Sequence, residues 1–132
     1  MPLSTTQAQA FLNSILGSGT PSHWYVALYT SEPTPAGGGT EFVGDTYARV
    51  ALTNNNTNFP GASASYPSVV SNGAAITFPT PGVNWGTIPF WGLVSTPTGG
   101  SPSWFGAFSA PLNVTTGNPV VIAIANLNLS LG

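Results

Sequence analysis

The chain has 132 residues, and only 3% of them are charged: one arginine and three acidic residues, beside one histidine and no cysteine. Soluble domains carry about 25% charged residues, so the side chains that most enzymes, metal sites and nucleic-acid interfaces need are nearly missing. The hydrophobic fraction is 42%, which supplies a core and argues against disorder. These numbers favour a folded protein that works through contacts with other proteins.

Segment 4–16 is predicted to be the one helix of the chain. Ser4 can cap its start, with Gln7 completing a capping box, and Gly17 ends it. The apolar residues recur at helical spacing and form one face: Ala8, Phe11, Leu12, Ile15 and Leu16. This face covers either the core of the chain itself, the interpretation we favour, or a neighbouring molecule. Phe11 and Ile15 are therefore candidate partner-binding residues.

From residue 24 to residue 131 the pattern is that of β-strands separated by Gly- and Pro-rich turns. The predicted strands are 24–30, 47–53, 74–78, 88–96, 104–109, 112–114 and 120–131, with 88–96 and 104–109 forming a hairpin. Polar segment 54–68 is predicted to be a long loop. We therefore predict a mainly β fold, an antiparallel and jelly-roll-like β-sandwich with one short N-terminal helix, as a single domain over 1–132.

The polar residues predict no catalytic, cofactor or metal site. His23 is the only histidine, and no ligand spacing links it to the three carboxylates. One arginine cannot neutralise the several phosphates of a nucleic-acid partner, and no apolar run approaches the roughly 18 residues of a membrane helix. Met1–Ser4 has no basic segment of the kind that begins a secretory signal, so none is expected.

Glu41, Asp45 and Arg49 follow one another at intervals of four residues. On a helix they would form an ion network, but Gly44 and the β-rich segment 47–53 argue against a helix here. We interpret the three as a structural ion pair that fixes a loop to the start of a strand. Which acidic residue, or which backbone carbonyl, Arg49 binds is left open.

Two pairs of adjacent aromatic residues lie on predicted strands: Phe90 with Trp91, and Trp104 with Phe105. Neighbouring residues of a strand point to opposite faces, so one of each pair lies off the core unless both faces are covered. All four are candidate partner-binding residues, because aromatic side chains anchor protein interfaces. An exposed Trp104 near Ser101 and Ser103 would fit a sugar-binding platform instead.

Four short pieces occur in an order that resembles a known family. They are Leu28–Thr30, Tyr47–Arg49, Trp85–Thr87 and the Gly-Gly turn at Gly99–Gly100. Over roughly residues 24–131 the chain resembles small virion proteins of tailed bacteriophages, which are often labelled "tail fibre protein" and some of which resemble capsid decoration (cement) proteins. The resemblance implies a β-sandwich virion component without enzymatic activity.

Together these observations predict a capsid decoration protein on the outer capsid surface, made in the bacterial cytoplasm. Its expected partner is the major capsid protein, bound across neighbouring subunits, and a homo-trimer around a local three-fold axis would fit that position. Neutral apolar contacts suit this role because salt screens exposed ion pairs. Two alternatives stay open: a tail or fibre-associated structural protein, and a carbohydrate-binding module that uses exposed tryptophans.

Overall fold

The protein is described by a computed structural model that covers residues 3–65 and 67–131. The ends of the predicted 1–132 domain, and Tyr66 within the predicted loop, lie outside the described residues. Within them the chain forms one helix and nine strands. These elements are α1 (Thr5–Ile15), β1 (His23–Ser31), β2 (Thr40–Glu41), β3 (Val50–Thr53), β4 (Ser68–Ser71), β5 (Ile76–Phe78), β6 (Gly86–Val94), β7 (Trp104–Val114), β8 (Val120–Ile122) and β9 (Asn128–Leu131).

The largest sheet has the strand order β2-β1-β6-β7, and β3 also pairs with β1. Two further ribbons are formed by β4 with β9 and by β5 with β8. Along the main path and in both ribbons, neighbouring strands are antiparallel. This confirms the predicted fold class: mainly β, antiparallel, with one short helix, and consistent with a β-sandwich.

The β6–β7 hairpin is confirmed, but both of its strands differ from the prediction. β7 joins the two strands predicted at 104–109 and 112–114, and β6, which lies between β1 and β7, covers Gly86–Val94 rather than 88–96. Pro89 in β6 coincides with a register break, because Ile88 pairs with Leu112 while Phe90 pairs with Ala107. Because proline has no N–H to donate to a neighbouring strand, an interior strand tolerates it at a register break, where the regular hydrogen bonds are interrupted.

The chain divides into two compact units. Unit 1 contains the residues up to His23, Leu52–Ala75 and the residues from Ala123 onward; unit 2 contains Trp24–Ala51 and Ile76–Ile122. Each unit contributes its own buried apolar residues, such as Leu12 and Leu129 in unit 1 and Leu28 and Ile88 in unit 2. The single domain proposed from the sequence stays a prediction.

In unit 1 the local patterns give the elements that they predict. Ser4 caps α1, with its Oγ accepting a hydrogen bond from the Gln7 amide at 3.2 Å. The apolar face is divided, since Ala8, Leu12 and Leu16 are buried while Phe11 is 46% and Ile15 36% exposed. At the end of the chain leucines alternate with polar residues from 127 to 131, a pattern that predicts one buried and one exposed face. The structure confirms it, with leucines 127 and 129 buried and Asn128 and Ser130 exposed.

Several predicted strand boundaries differ from the structure. The strand predicted at 47–53 begins only at Val50, because the Tyr47 amide donates to the Gly44 carbonyl at 3.2 Å and closes a turn just before it. The strand predicted at 120–131 is two strands, β8 and β9, separated by a turn at Ala125, whose φ is +67°. The loop predicted at 54–68 agrees with the structure up to its last residue, because the described residues form no helix or strand between Thr53 and Ser68. It holds a fully buried Phe59 and leads into β4, which the sequence did not reveal. No helix in the described part of the chain is long and apolar enough to cross a membrane.

Candidate functional site

Three of the four charged residues, Glu41, Asp45 and Arg49, lie in two separate clusters of unit 2. The first, here called the Glu41 cluster, consists of Glu41, Tyr47 and Arg49. The Arg49 guanidinium binds the Glu41 carboxylate in a bidentate manner, with Nε donating to Oε2 at 2.9 Å and Nη2 donating to Oε1 at 2.7 Å. The Tyr47 hydroxyl donates to Glu41 Oε2 at 2.6 Å and accepts from the Leu28 amide at 3.0 Å. The cluster therefore links β1, β2 and the chain that leads into β3.

Arg49 also binds the turn of the β6–β7 hairpin. Its Nη1 donates to the carbonyl oxygens of Thr96 at 2.9 Å and Gly99 at 2.8 Å. The Arg49 side chain is only 4% exposed, and that of Glu41 is 23% exposed. All three guanidinium nitrogens thus donate to acceptors of the protein itself, which is the arrangement that a buried charge requires.

The environment of the Glu41 cluster holds each group in one protonation state near neutral pH. Burial alone would raise the pKa of Glu41, but hydrogen bonds from Arg49 and Tyr47 outweigh it and lower the net pKa. Burial and the bond to Glu41 raise the pKa of Tyr47, and the bond to Glu41 raises that of Arg49. The cluster is therefore built to hold segments together.

A cleft of about 480 Å³ lies beside the Glu41 cluster, lined by residues 41–44, 47–49 and 97–99. Its walls carry Phe42, Ala48 and Pro97, and Val43 at its side is 85% exposed. Since the polar groups of Glu41 and Arg49 are already bonded within the protein, the cleft offers mainly apolar surface.

The second cluster surrounds Asp45 and does not contain Arg49. Asp45 Oδ2 accepts hydrogen bonds from the amides of Gly82 at 2.7 Å and Val83 at 3.2 Å, and from Trp85 Nε1 at 2.9 Å. The Trp85 bond, and then these amides, hold the pKa of Asp45 below its ordinary value. The three charged residues that the sequence grouped therefore separate: Glu41 binds Arg49, whereas Asp45 fixes the loop 82–85.

Aromatic rings fill the space between the two clusters. Trp85 stacks on Phe42 with ring centroids 5.0 Å apart, and Tyr47 meets both rings edge to face at 5.8 and 5.5 Å. Tyr47 also stacks on Phe78 at 6.3 Å. Trp85 and Tyr47 each combine a packed ring with a hydrogen bond to a carboxylate. Through these two residues both clusters are connected to the same group of aromatic rings.

The six residues proposed as partner-binding lie in different settings. Phe11 and Ile15 are exposed on α1, whereas Phe90, Trp104 and Phe105 are half-buried on the β6–β7 hairpin. Trp91 is buried, and its ring covers Gly106, where an added Cβ would lie 2.9 Å from it. Trp91 therefore presents little surface to a partner, while the other five keep apolar surface exposed. Their role stays a prediction.

His23 and the acidic residues do not gather into a metal site. His23 is exposed at the start of β1, with its Nδ1 3.2 Å from the hydroxyl of the neighbouring Ser22. In residues 3–65 and 67–131 no three or more His, Asp or Glu side chains lie together in a way that could hold a metal ion.

Two buried asparagines of unit 1 were not predicted. Asn54 donates to the carbonyls of Ile15 and Pro21, both at 2.8 Å, and accepts from the Gly17 amide at 2.6 Å, so it closes the end of α1. Asn72 donates to the carbonyls of Ala74 and Ala123 and accepts from the Leu127 amide. A polar run such as residues 54–56 contains no signal that singles out the buried asparagine.

The fold and these clusters define a mainly β protein in which Glu41, Asp45 and Arg49 bind segments of the protein itself. A sequence model of the podophage GP4 fiber I protein gp80 family matches residues 2–130, so the chain belongs to that family. No curated protein matches the chain. The family makes the chain a bacteriophage structural protein associated with the virion. This agrees with the predicted phage virion protein, whereas the family description does not mention capsid decoration.

Proposed function

We propose that this protein is a non-enzymatic structural component of the fibre apparatus of a podophage particle. The observation that carries the proposal is the family match, which extends over residues 2–130 and therefore concerns the whole fold rather than a short motif. The family description names a fibre protein, and it favours the tail or fibre alternative over capsid decoration.

The distribution of polar groups supports work through protein contacts. Arg49 and Glu41 bind each other, and Asp45 binds a loop of the protein itself, so few charges are left for a substrate. Apolar side chains are exposed at several points of the surface, including Phe11, Val43 and Ile124. Contacts made by such residues are not weakened by the salt screening that weakens exposed ion pairs.

The carbohydrate-binding alternative has weaker support. A sugar platform needs a flat aromatic face open to solvent. Trp104 is half-buried, and its ring meets Trp24 edge to face with centroids 5.9 Å apart. Part of the ring surface is thereby used within the protein.

The test is to locate the protein on the particle. Particles of the encoding phage are dissociated into heads and tails, and the protein is followed in each fraction with an antibody. We expect it in the tail fraction, and we expect purified protein to co-sediment saturably with tails and not with emptied heads.

Binding to heads, accompanied by greater resistance of the heads to heat, would overturn the fibre assignment. It would instead support capsid decoration with the major capsid protein as partner. Binding to neither fraction together with binding to a glycan array would favour the carbohydrate alternative. The oligomeric state in the bound fraction would also test the predicted homo-trimer.

A further inference from the structure

The two edges of the main sheet differ in length and charge. At one edge β1 pairs with two short strands, β2 of two residues and β3 of four, and Glu41 of β2 is held in the ion pair with Arg49. β7 forms the other edge with 11 residues and no charge. Among the strands of residues 3–65 and 67–131, only β6 pairs with β7. The longer edge therefore lacks the charge that commonly protects sheet edges from pairing.

The first four residues of β7 have the regular strand geometry that a further strand needs for pairing. Trp104–Ala107 runs in regular register with Leu93–Phe90 of β6, whereas residues 108–111 lie opposite Pro89 alone. A register break and a proline such as Pro111 are devices that interrupt an edge. They leave Trp104–Ala107 as a regular stretch, in which alternate residues direct their N–H and C=O groups away from β6.

The side chains of β7 also leave apolar surface uncovered. From Trp104 to Asn113 no residue is fully buried, although the strand carries three aromatic rings, Trp104, Phe105 and Phe108. A strand added beside β7 would bury part of these rings and satisfy the outward backbone groups at the same time.

We propose that Trp104–Ala107 is a strand-pairing site that takes the same segment of a second copy of this chain, antiparallel. Charge points to this partner. No charged residue lies between Val50 and Leu131, so two copies of β7 meet without like-charge repulsion. A charged strand would lose hydration at this edge and find no counter-charge on it. Antiparallel pairing of identical strands is isologous, so it closes at two copies.

The inference does not rest on the fibre assignment, because it follows from the sheet edge alone. Four residues from each copy bury less surface than a standard interface of about 1,600 Å². The association is therefore weak and depends on concentration.

The experiment is sedimentation of the full chain from about 1 µM to about 1 mM, the range in which weak interfaces populate. We expect a monomer that converts to a dimer across this range. Ala107→Lys places a charge on the pairing segment and should raise the dimer Kd at least about tenfold. Ala110→Lys is the matched control, since Ala110 is an exposed alanine of the same strand within the register break. Its Kd should change by less than about threefold.

Hydrogen exchange on the unmodified protein gives a second measurement that needs no variant. Amides within 104–107 should exchange more slowly at high concentration, while those of α1 should not change. The proposal is overturned by a monomer at every concentration, or by dimers that the two variants weaken equally. Concentration-dependent protection confined to α1, around the exposed Phe11, would overturn it as well.

Discussion

All four charged side chains of the protein lie in unit 2, between Glu32 and Arg49, and unit 1 contains none. Both units still connect segments that are far apart in sequence. Unit 1 does so with the amides of Asn54 and Asn72, and unit 2 with Glu41, Asp45 and Arg49. The same structural task is thus performed by neutral groups in one region and by charged groups in the other.

The difference follows from the main-chain groups that each side chain must satisfy. Asn54 and Asn72 each face both carbonyls and an N–H, and only an amide offers donors and an acceptor together. Asp45 faces three N–H donors, which a carboxylate can accept without donating anything. Asp45 thus lies where only hydrogen-bond donors need a partner, and a carboxylate is sufficient there.

The largest expected effect comes from breaking the ion pair of unit 2. Glu41→Gln keeps the shape of the side chain but leaves the buried Arg49 guanidinium without a counter-charge. We expect the free energy of unfolding to fall by about 3–4 kcal/mol, measured by urea denaturation. Glu32→Gln is the control, because Glu32 is exposed, and it should change stability by less than about 0.5 kcal/mol. Equal losses in both variants would contradict the assigned role of the pair.

The corresponding change in unit 1 is Asn72→Ala. It removes two donors and one acceptor and leaves the Leu127 amide and two carbonyls without this partner. A loss of about 2–3 kcal/mol is expected, since buried polar groups without partners are costly. Asn56→Ala is matched in chemistry but exposed, and should have little effect. If urea denaturation found the two variants equally stable, neutral amides would not be performing this task in unit 1.

A smaller effect is expected at the start of α1, where a hydroxyl takes the place that a carboxylate often occupies. The first turn of α1 has no acidic residue, and the Ser4 hydroxyl accepts from the Gln7 amide. Ser4→Ala should cost about 1 kcal/mol, measured by thermal unfolding followed by circular dichroism. Thr6→Ala, at an exposed position of the same turn, should be neutral or slightly stabilising. A neutral Ser4→Ala would show that the cap contributes nothing.

The features that the sequence predicts correctly are local in the chain. The Ser4 cap, the hairpin around Gly99–Gly100 and the alternation at the C-terminal end each depend on residues a few positions apart. The burial of Asn72 depends on carbonyls up to 51 residues away. No local pattern contains that information.

The same reason explains the charged trio. Spacing by four residues could not tell which acid binds Arg49, because the choice depends on the turn at Tyr47 and on the loop 82–85. The register break at Pro89 was also missed, since it depends on how β7 lies against β6. The partner-binding residues depend on a second molecule and stay predictions.

The smallest expected effect is a loss of stability at low pH. It should arise in unit 2, which contains the carboxylates, and Asp45 is the residue that tests it. Its folded pKa lies below the ordinary value of about 3.9. A group with a lowered folded pKa stabilises the protein above the unfolded pKa, and this contribution is lost as the pH falls through the folded pKa. We therefore expect the melting temperature to drop on acidification below about pH 4.

Asp45→Asn should make that drop shallower without changing the backbone. The residue has φ +49°, a conformation that Asn accepts as readily as Asp, and its amide oxygen can still accept from Trp85 Nε1. The acid response that remains then belongs to Glu41, whose pKa is also lowered. Trp85 fluorescence, taken as the difference from a Trp85→Phe variant, should follow the same pH range in the unmodified protein and not in Asp45→Asn. Identical pH profiles for the two proteins would show that Asp45 does not couple the charge of unit 2 to its aromatic core.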